Sequence, residues 1–265
     1  MLVAAFEWHI LWERIFHPDH VFVRALYTTI YISVAAQFLG VLLGLLSALA
    51  RMSRIWPLRI LSGLYVLVFR GTPIVVQIFF IYYGSYFVLG VNLFPNSVNF
   101  GVFSIPGAAV AGIVALAINE GAYMREIIRA GIDSIDRGQI EAARSLGMTN
   151  RLAMRRIVLP QAARVIVPPL GNEFNNMMKT TSLLAFIGVY ELFQDADIHY
   201  SQTFKPAEYF AAVAFWYLVL TSIWSVIQAY IERRLAESDR SEEPSFRERL
   251  FRAWAPMQAW ARGAR

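Results

Sequence analysis

Three ionisable side chains, Glu120, Glu173 and Lys179, stand deep inside apolar sequence. A charge at the centre of a bilayer costs about 2.5 to 3.5 kcal/mol on insertion scales, so such residues are kept for a reason. At about 100° per residue, Asn119, Glu120 and Tyr123 share one arc of a helix. Asn172, Asn175, Asn176 and Lys179 share an arc of another, with Glu173 and Thr180 at its edge. Two polar arcs on two apolar helices predict a wet cavity between them. Glu120 and Glu173 could meet a cationic group there, and Lys179 or Asn176 a carboxylate. Two other readings stay open: a proton relay through the glutamates, or a salt bridge from Lys179 to a glutamate that only ties the helices together.

Other chemistry has little support. The chain has no cysteine, which excludes disulfides and thiolate sites. His9, His17, His20 and His199 lack a ligand spacing and read as surface residues, so no metal is expected. No G-x-x-x-x-G-K-[ST] run is present, so the chain is not expected to hydrolyse ATP, and no base–nucleophile pair suggests an enzyme.

The elements that must hold these residues are apolar helices. Hydrophobic residues make up 57% of the 265 and charged ones 16%, with a mean hydropathy of +0.46, a polytopic membrane composition. All but two of the 24 basic residues are arginine, a compositional habit rather than a nucleic-acid surface. The uncharged run 25–50 exceeds the roughly 20 residues that a span needs and is followed by a basic loop, Arg51, Arg54 and Arg59. That loop is expected inside, leaving residues 1–24 as an external segment without a basic signal-peptide region.

Residues 60–89 are too long for one straight span and are interrupted at Arg70-Gly71-Thr72-Pro73, which predicts a kink. Arg70 is expected to bind the carbonyls freed there. A turn-rich, uncharged stretch to Pro106 suits the outer face, and spans at about 102–124, 165–190 and 209–231 complete five, with 191–205 an outer loop. Gly40 and Gly44 are expected to serve helix packing. The tail, 232–265, mixes charges inside and could carry an amphipathic segment at 246–260. The fold class is therefore all-α polytopic membrane protein, N-terminus outside and C-terminus inside.

Between spans three and four lies a polar elbow, 136–160. Asp136 can cap a short helix bearing Ile140, Ala143 and Leu146, and Gly147 supplies a left-handed turn. Thr149 or Asn150 can cap a second helix that Pro160 is expected to stop. By itself this is an ordinary positive loop with one greasy and one cationic side. Its spacing is more specific: Glu141-Ala142-Ala143, then Gly147, then Ile157-Val158-Leu159-Pro160. This resembles the EAA motif of the membrane subunits of bacterial ABC importers. FRGTPIVVQIFFIYYG and NEGAYMREIIRAGI resemble the branch that carries polar amino acids.

The resemblance implies that Glu141, Ala142, Ala143, Gly147, Ile157, Leu159 and Pro160 dock on a cytoplasmic ABC ATPase dimer, where ATP and Mg act; no cofactor would bind this chain. It further implies a second permease subunit, a periplasmic or extracellular solute-binding protein, and residence in the bacterial inner membrane. Glu120 stands where that family often has a small uncharged residue, so an extra carboxylate favours basic cargo such as arginine, ornithine, lysine, histidine or an opine. Thr180 stands where an acid is frequent. The alternatives are an ion- or proton-coupled secondary amino-acid transporter, against which the lack of a detectable inverted repeat speaks, and a permease for a different polar amino acid or opine.

Overall fold

The computed structural model describes residues 6–99 and 104–240. Its helices are α1 (Trp8–Phe16), α2 (His20–Met52), α3 (Trp56–Gly71), α4 (Ile74–Leu89), α5 (Gly107–Asp133), α6 (Arg137–Ser145), α7 (Asn150–Ala153), α8 (Leu159–Thr180), α9 (Leu192–Thr203) and α10 (Pro206–Arg240). Two short strands, β1 (Ser97–Asn99) and β2 (Ser104–Pro106), pair antiparallel with Val98 opposite Ile105.

By length and composition α2, α5 and residues 206–235 of α10 can each cross a membrane; α3 with α4 makes a fourth span if the bent pair counts as one. The helix α8 holds Arg164, Glu173, Lys179 and two internal prolines, so composition alone does not mark it as a span. The bend between α3 and α4 is 107°, a full break where the sequence predicted a kink.

The α2–α5 pair is the most extensive contact and is built on small residues. A Cβ at Gly44 would lie 2.3 Å from Met124 Cβ, and one at Gly40 2.6 Å from Glu120 Cγ, so only glycine admits this approach. In lipid such packing, rather than escape from water, holds helices together. Ile32, Ala36, Leu116 and Leu184 fill the centre of the core. Residues from Val226 on form a second unit, in which Gln228 Nε2 donates to Glu232 Oε1 (2.8 Å) and Arg234 Nε to the Tyr230 hydroxyl (2.9 Å).

Several sequence expectations need correction. Pro160 does not stop a helix. The chain runs from α7 through a five-residue π-helical turn, Met154–Val158, into α8, whose first turn holds Pro160. The wide turn before it gives the proline ring room, so the helix runs on despite the missing N–H. The stretch 165–190 is not one helix: α8 passes into a 3₁₀ turn, Thr181–Ile187, which Gly188 ends at φ +78°. The expected outer loop after it contains α9, and the external segment contains α1. The expected amphipathic segment at 246–260 lies outside the described residues.

Candidate functional site

The site begins at the break. Gln77, from the first turns of α4, donates through Nε2 to Phe69 O (2.9 Å), Thr72 O (3.0 Å) and Thr72 Oγ1 (2.8 Å). Asn119 of α5 donates to Phe69 O (2.9 Å) and Gln77 Oε1 (3.0 Å). Two amides thus take the carbonyls that Arg70 was expected to hold. Arg70 instead lies over the Tyr123 ring, 5.0 Å from its centroid. A flat guanidinium stacks well on an aromatic face, whereas an amide fits the narrow gap at the break better. Tyr65 OH, donating to Ile118 O at 2.5 Å, ties α3 to the same turn of α5.

Glu120 points elsewhere. Adjacent helical residues diverge by about 100°, so while Asn119 faces the break, Glu120 faces α2, where Gln37 Nε2 donates to its Oε1 at 3.0 Å. It is 5% exposed. Gln37 Oε1 has no partner among the described residues. The single arc read from sequence is therefore divided between two neighbouring helices.

On α8 the arc is largely open. Asn172, Asn176 and Lys179 are exposed, and Glu173, half-buried, bonds Asn176 and lies within electrostatic reach of Arg70 and Glu120. Asn175 leaves the arc to donate to Ser225 Oγ of α10 (3.4 Å), beside Trp224, whose Nε1 donates to Gly171 O (2.8 Å). Among the described residues no ion pair joins Lys179 to either glutamate.

The elbow follows its capping chemistry. Asp136 Oδ1 accepts from Gly138 N (2.9 Å), Gly147 takes φ +79°, and Thr149 Oγ1 accepts from Leu152 N (3.3 Å). Arg144 Nε donates to Asn150 Oδ1 (2.9 Å), closing the turn. Ala143 is buried and Ile157 half-buried; Glu141, Ala142, Gly147, Leu159 and Pro160 are exposed. Leu146 is 81% exposed, an apolar tip with nothing over it in this chain.

Gln37 and Gln77 were not singled out from sequence. The signal was available, since each is a lone amide within an apolar run. A further buried polar group closes the opposite end of the bundle. Glu191 accepts from Gln194 N and the Tyr217 hydroxyl (both 2.8 Å), while Thr29 Oγ1 accepts from Leu192 N (3.3 Å). Asp195 accepts from the Tyr190 hydroxyl (2.6 Å).

Apolar helices long enough to cross a membrane enclose buried polar side chains, as in a membrane-embedded transport component. Residues 40–237 match the model of the binding-protein-dependent transport system inner membrane component, and the chain belongs to that family. It is 38% identical over 252 residues to the arginine transport system permease protein ArgU of Corynebacterium glutamicum, covering 88% of this chain and 77% of that one. It is also 38% identical over 235 residues to the L-cystine transport system permease protein TcyB of Bacillus subtilis, covering 88% and 93%. A solved amino acid ABC transporter, crystallised with histidines, superimposes with a TM-score of 0.72 at 42% identity, over 81% of this chain and 94% of that one. The likeness read from the EAA and span motifs, to amino-acid permeases of ABC importers, therefore holds. In this family ATP hydrolysis belongs to a separate subunit.

Proposed function

We propose that this chain forms half of a translocation path for polar, basic amino acids and couples it, through the elbow, to a cytoplasmic ATPase on which ATP and Mg act. The observation that carries the reading is one helical track. From Asn150 to Thr180 the backbone stays helical through α7, the π turn and α8, joining the elbow's second arm to the open Asn176–Lys179 face. A displacement of the elbow therefore tilts that face as a lever.

In this reading Glu141, Ala142, Ala143, Gly147, Ile157, Leu159 and Pro160 make the docking surface, with the exposed Leu146 as its apolar anchor. Asn119, Glu120, Tyr123, Glu173, Asn176 and Lys179 form the polar wall. A second permease subunit covers the open α8 face, and an external solute-binding protein delivers cargo. The topology is five spans, with α8 the fourth, the N-terminus outside and the elbow inside the inner membrane. Two carboxylates within reach of each other, Glu120 and Glu173, support a cationic cargo. The arginine named for one relative supports it too, although the other is named for cystine.

Uptake into proteoliposomes holding the assembled importer tests the cargo. Arginine should outcompete glutamine in the wild type, and Glu120→Gln should reduce that preference about tenfold, the weight of one charge-assisted contact. Equal competition by glutamine in the wild type would remove the basic preference, and unchanged selectivity in the variant would remove Glu120's role.

A further inference from the structure

The helix α1 lies ahead of the family-matched residues, and no function discussed above uses it. It carries two exposed rows. Trp8, Trp12 and Phe16, four residues apart, are 72%, 64% and 54% exposed, and the Trp12 and Phe16 rings touch at 4.3 Å between centroids. His9, Glu13 and His17, one residue further on and so about 100° round the helix, are exposed as well. The third side is fully engaged. Arg14 pairs with Asp19 (3.1 Å) and Asp195 (3.7 Å), its backbone oxygen accepts from Trp216 Nε1 (3.2 Å), and its guanidinium lies over Tyr209. Ile10 packs on the cluster of Phe22, Leu192 and Tyr209, while Glu7 N donates to Glu208 Oε1 (2.9 Å) and the Glu7 carboxylate pairs with Lys205. These contacts fix the roll of the helix, so the aromatic row cannot turn inward.

We propose that α1 lies flat in the headgroup layer of the leaflet at the N-terminal end of α2, its Trp8–Trp12–Phe16 row seated on lipid and its His9–Glu13–His17 row in water. Two features select lipid over a protein partner. Tryptophan is enriched at bilayer interfaces. The level is right too: Arg24 is the last charge before the uncharged run 25–50, so the hydrocarbon begins about two turns into α2, beside the end on which α1 rests. Within that uncharged run α2 exposes large apolar side chains, such as Val34 and Phe38. That this leaflet is the outer one rests on the topology proposed above.

The absence of cysteine makes the test direct. Trp12→Cys and Glu13→Cys, each in the full-length chain, are spin-labelled and reconstituted in vesicles of phosphatidylcholine and phosphatidylglycerol; collision with oxygen and with a water-soluble nickel chelate is then measured. Position 12 should favour oxygen, at a depth of about 5–10 Å into the interface, and position 13 the chelate. Trp8→Cys serves if Trp12→Cys does not insert. Equal chelate access at both positions would overturn the proposal, and so would a position 12 closed to both reagents, the mark of a protein partner. Chelate confined to the outside of sealed, oriented vesicles separates the two readings: lipid depth without relaxation at position 13 would reverse the topology and leave the lipid contact standing.

Discussion

The helices α5 and α8 carry similar polar residues in similar apolar settings, and the protein treats them in opposite ways. On α5 the polar side chains are spoken for: Asn119 by Phe69 and Gln77, Glu120 by Gln37, and Arg125 by Glu126 and Ser62. On α8, Asn172, Asn176 and Lys179 stand exposed along one face. A polar group bonded and buried within its own chain helps hold the fold together, and one exposed along a helix is accessible to a ligand or another subunit. The two helices also differ in what they are joined to. The seam between α2 and α5 is locked by glycines, whereas α8 continues unbroken from the elbow. In the proposed reading, one wall of the path is fixed and the other is a lever.

The largest effect should come from breaking the lever at its hinge. Gly147 holds φ +79° with nothing within 4 Å of where a Cβ would sit, so a side chain there meets conformational strain and no clash. Left-handed backbone costs an ordinary L residue about 1 to 2 kcal/mol and an aspartate less, too little to unfold a bundle, while the new carboxylate alters the face of the exposed turn. Gly147→Asp should abolish uptake and weaken ATPase co-purification while leaving insertion and melting temperature unchanged. Gly147→Asn, a residue that adopts this conformation more readily, should recover part of the transport. Normal uptake in Gly147→Asp would mean that the elbow does not couple.

Breaking the fixed wall should register in stability first. In Gly44→Leu the new side chain meets Met124 at its Cβ and Arg125 at its backbone nitrogen, neither of which can yield. Overpacking of this kind costs about 1 to 3 kcal/mol or more. The variant should melt earlier in detergent and lose transport only in proportion to lost folded protein. A stable Gly44→Leu protein lacking transport would show that α2 and α5 also move.

The third perturbation lies outside the spans. Burial pushes the Glu191 carboxyl up to about 7, and Asp195 adds to this; the backbone N–H groups of Phe193 and Gln194 and the Tyr217 hydroxyl act the other way. A raised carboxyl stabilises the fold fully below its ordinary value near 4.5, and this is lost as pH rises through about 7. Asp195, Tyr190, Arg14 and His199 form the adjoining charged set. Thermal stability should fall between about pH 5 and about pH 8, by an amount on the order of 1 to 3 kcal/mol, and Glu191→Gln should flatten that slope. An equal slope in both proteins would show that Glu191 does not carry it.

What was legible in the sequence follows from how local the determining physics is. The Asp136 cap, the left-handed Gly147 and the Thr149 cap were all readable, since each is decided within four residues of itself. The Gly40–Gly44 seam was readable as well, because small residues four apart in an apolar run have few other uses. Pro160 misled because a proline marks a stop unless a wide turn precedes it, and nothing local announces a π turn. Arg70 misled because its choice between freed carbonyls and a ring depended on Gln77 and Asn119 arriving first. The helices α1 and α9 were missed because they are held by long-range polar contacts, such as Glu7 to Glu208 and Arg14 to Asp195. The division of the Asn119–Glu120 arc required knowing that α2 and the α3–α4 break lie on either side of α5.

The smallest effect on stability should fall on Lys179, and it tests the comparison most sharply. This residue is exposed on α8 and has no ion pair among the described residues, so Lys179→Met removes a charge that the isolated chain does not use. Stability should stay within about 0.5 kcal/mol of wild type. If the open α8 face lies on the path, the lost charge-assisted contact to a cargo carboxylate should raise the apparent KM for uptake by roughly tenfold, with kcat less affected. Lys179→Arg, which keeps the charge, should stay close to wild type in KM. Loss of stability in Lys179→Met would mean that α8 is held like α5 and that the division into fixed wall and lever is wrong. Unchanged stability with unchanged KM would leave the face to the second permease subunit, and the cargo contact would then pass to Asn176 and Glu173.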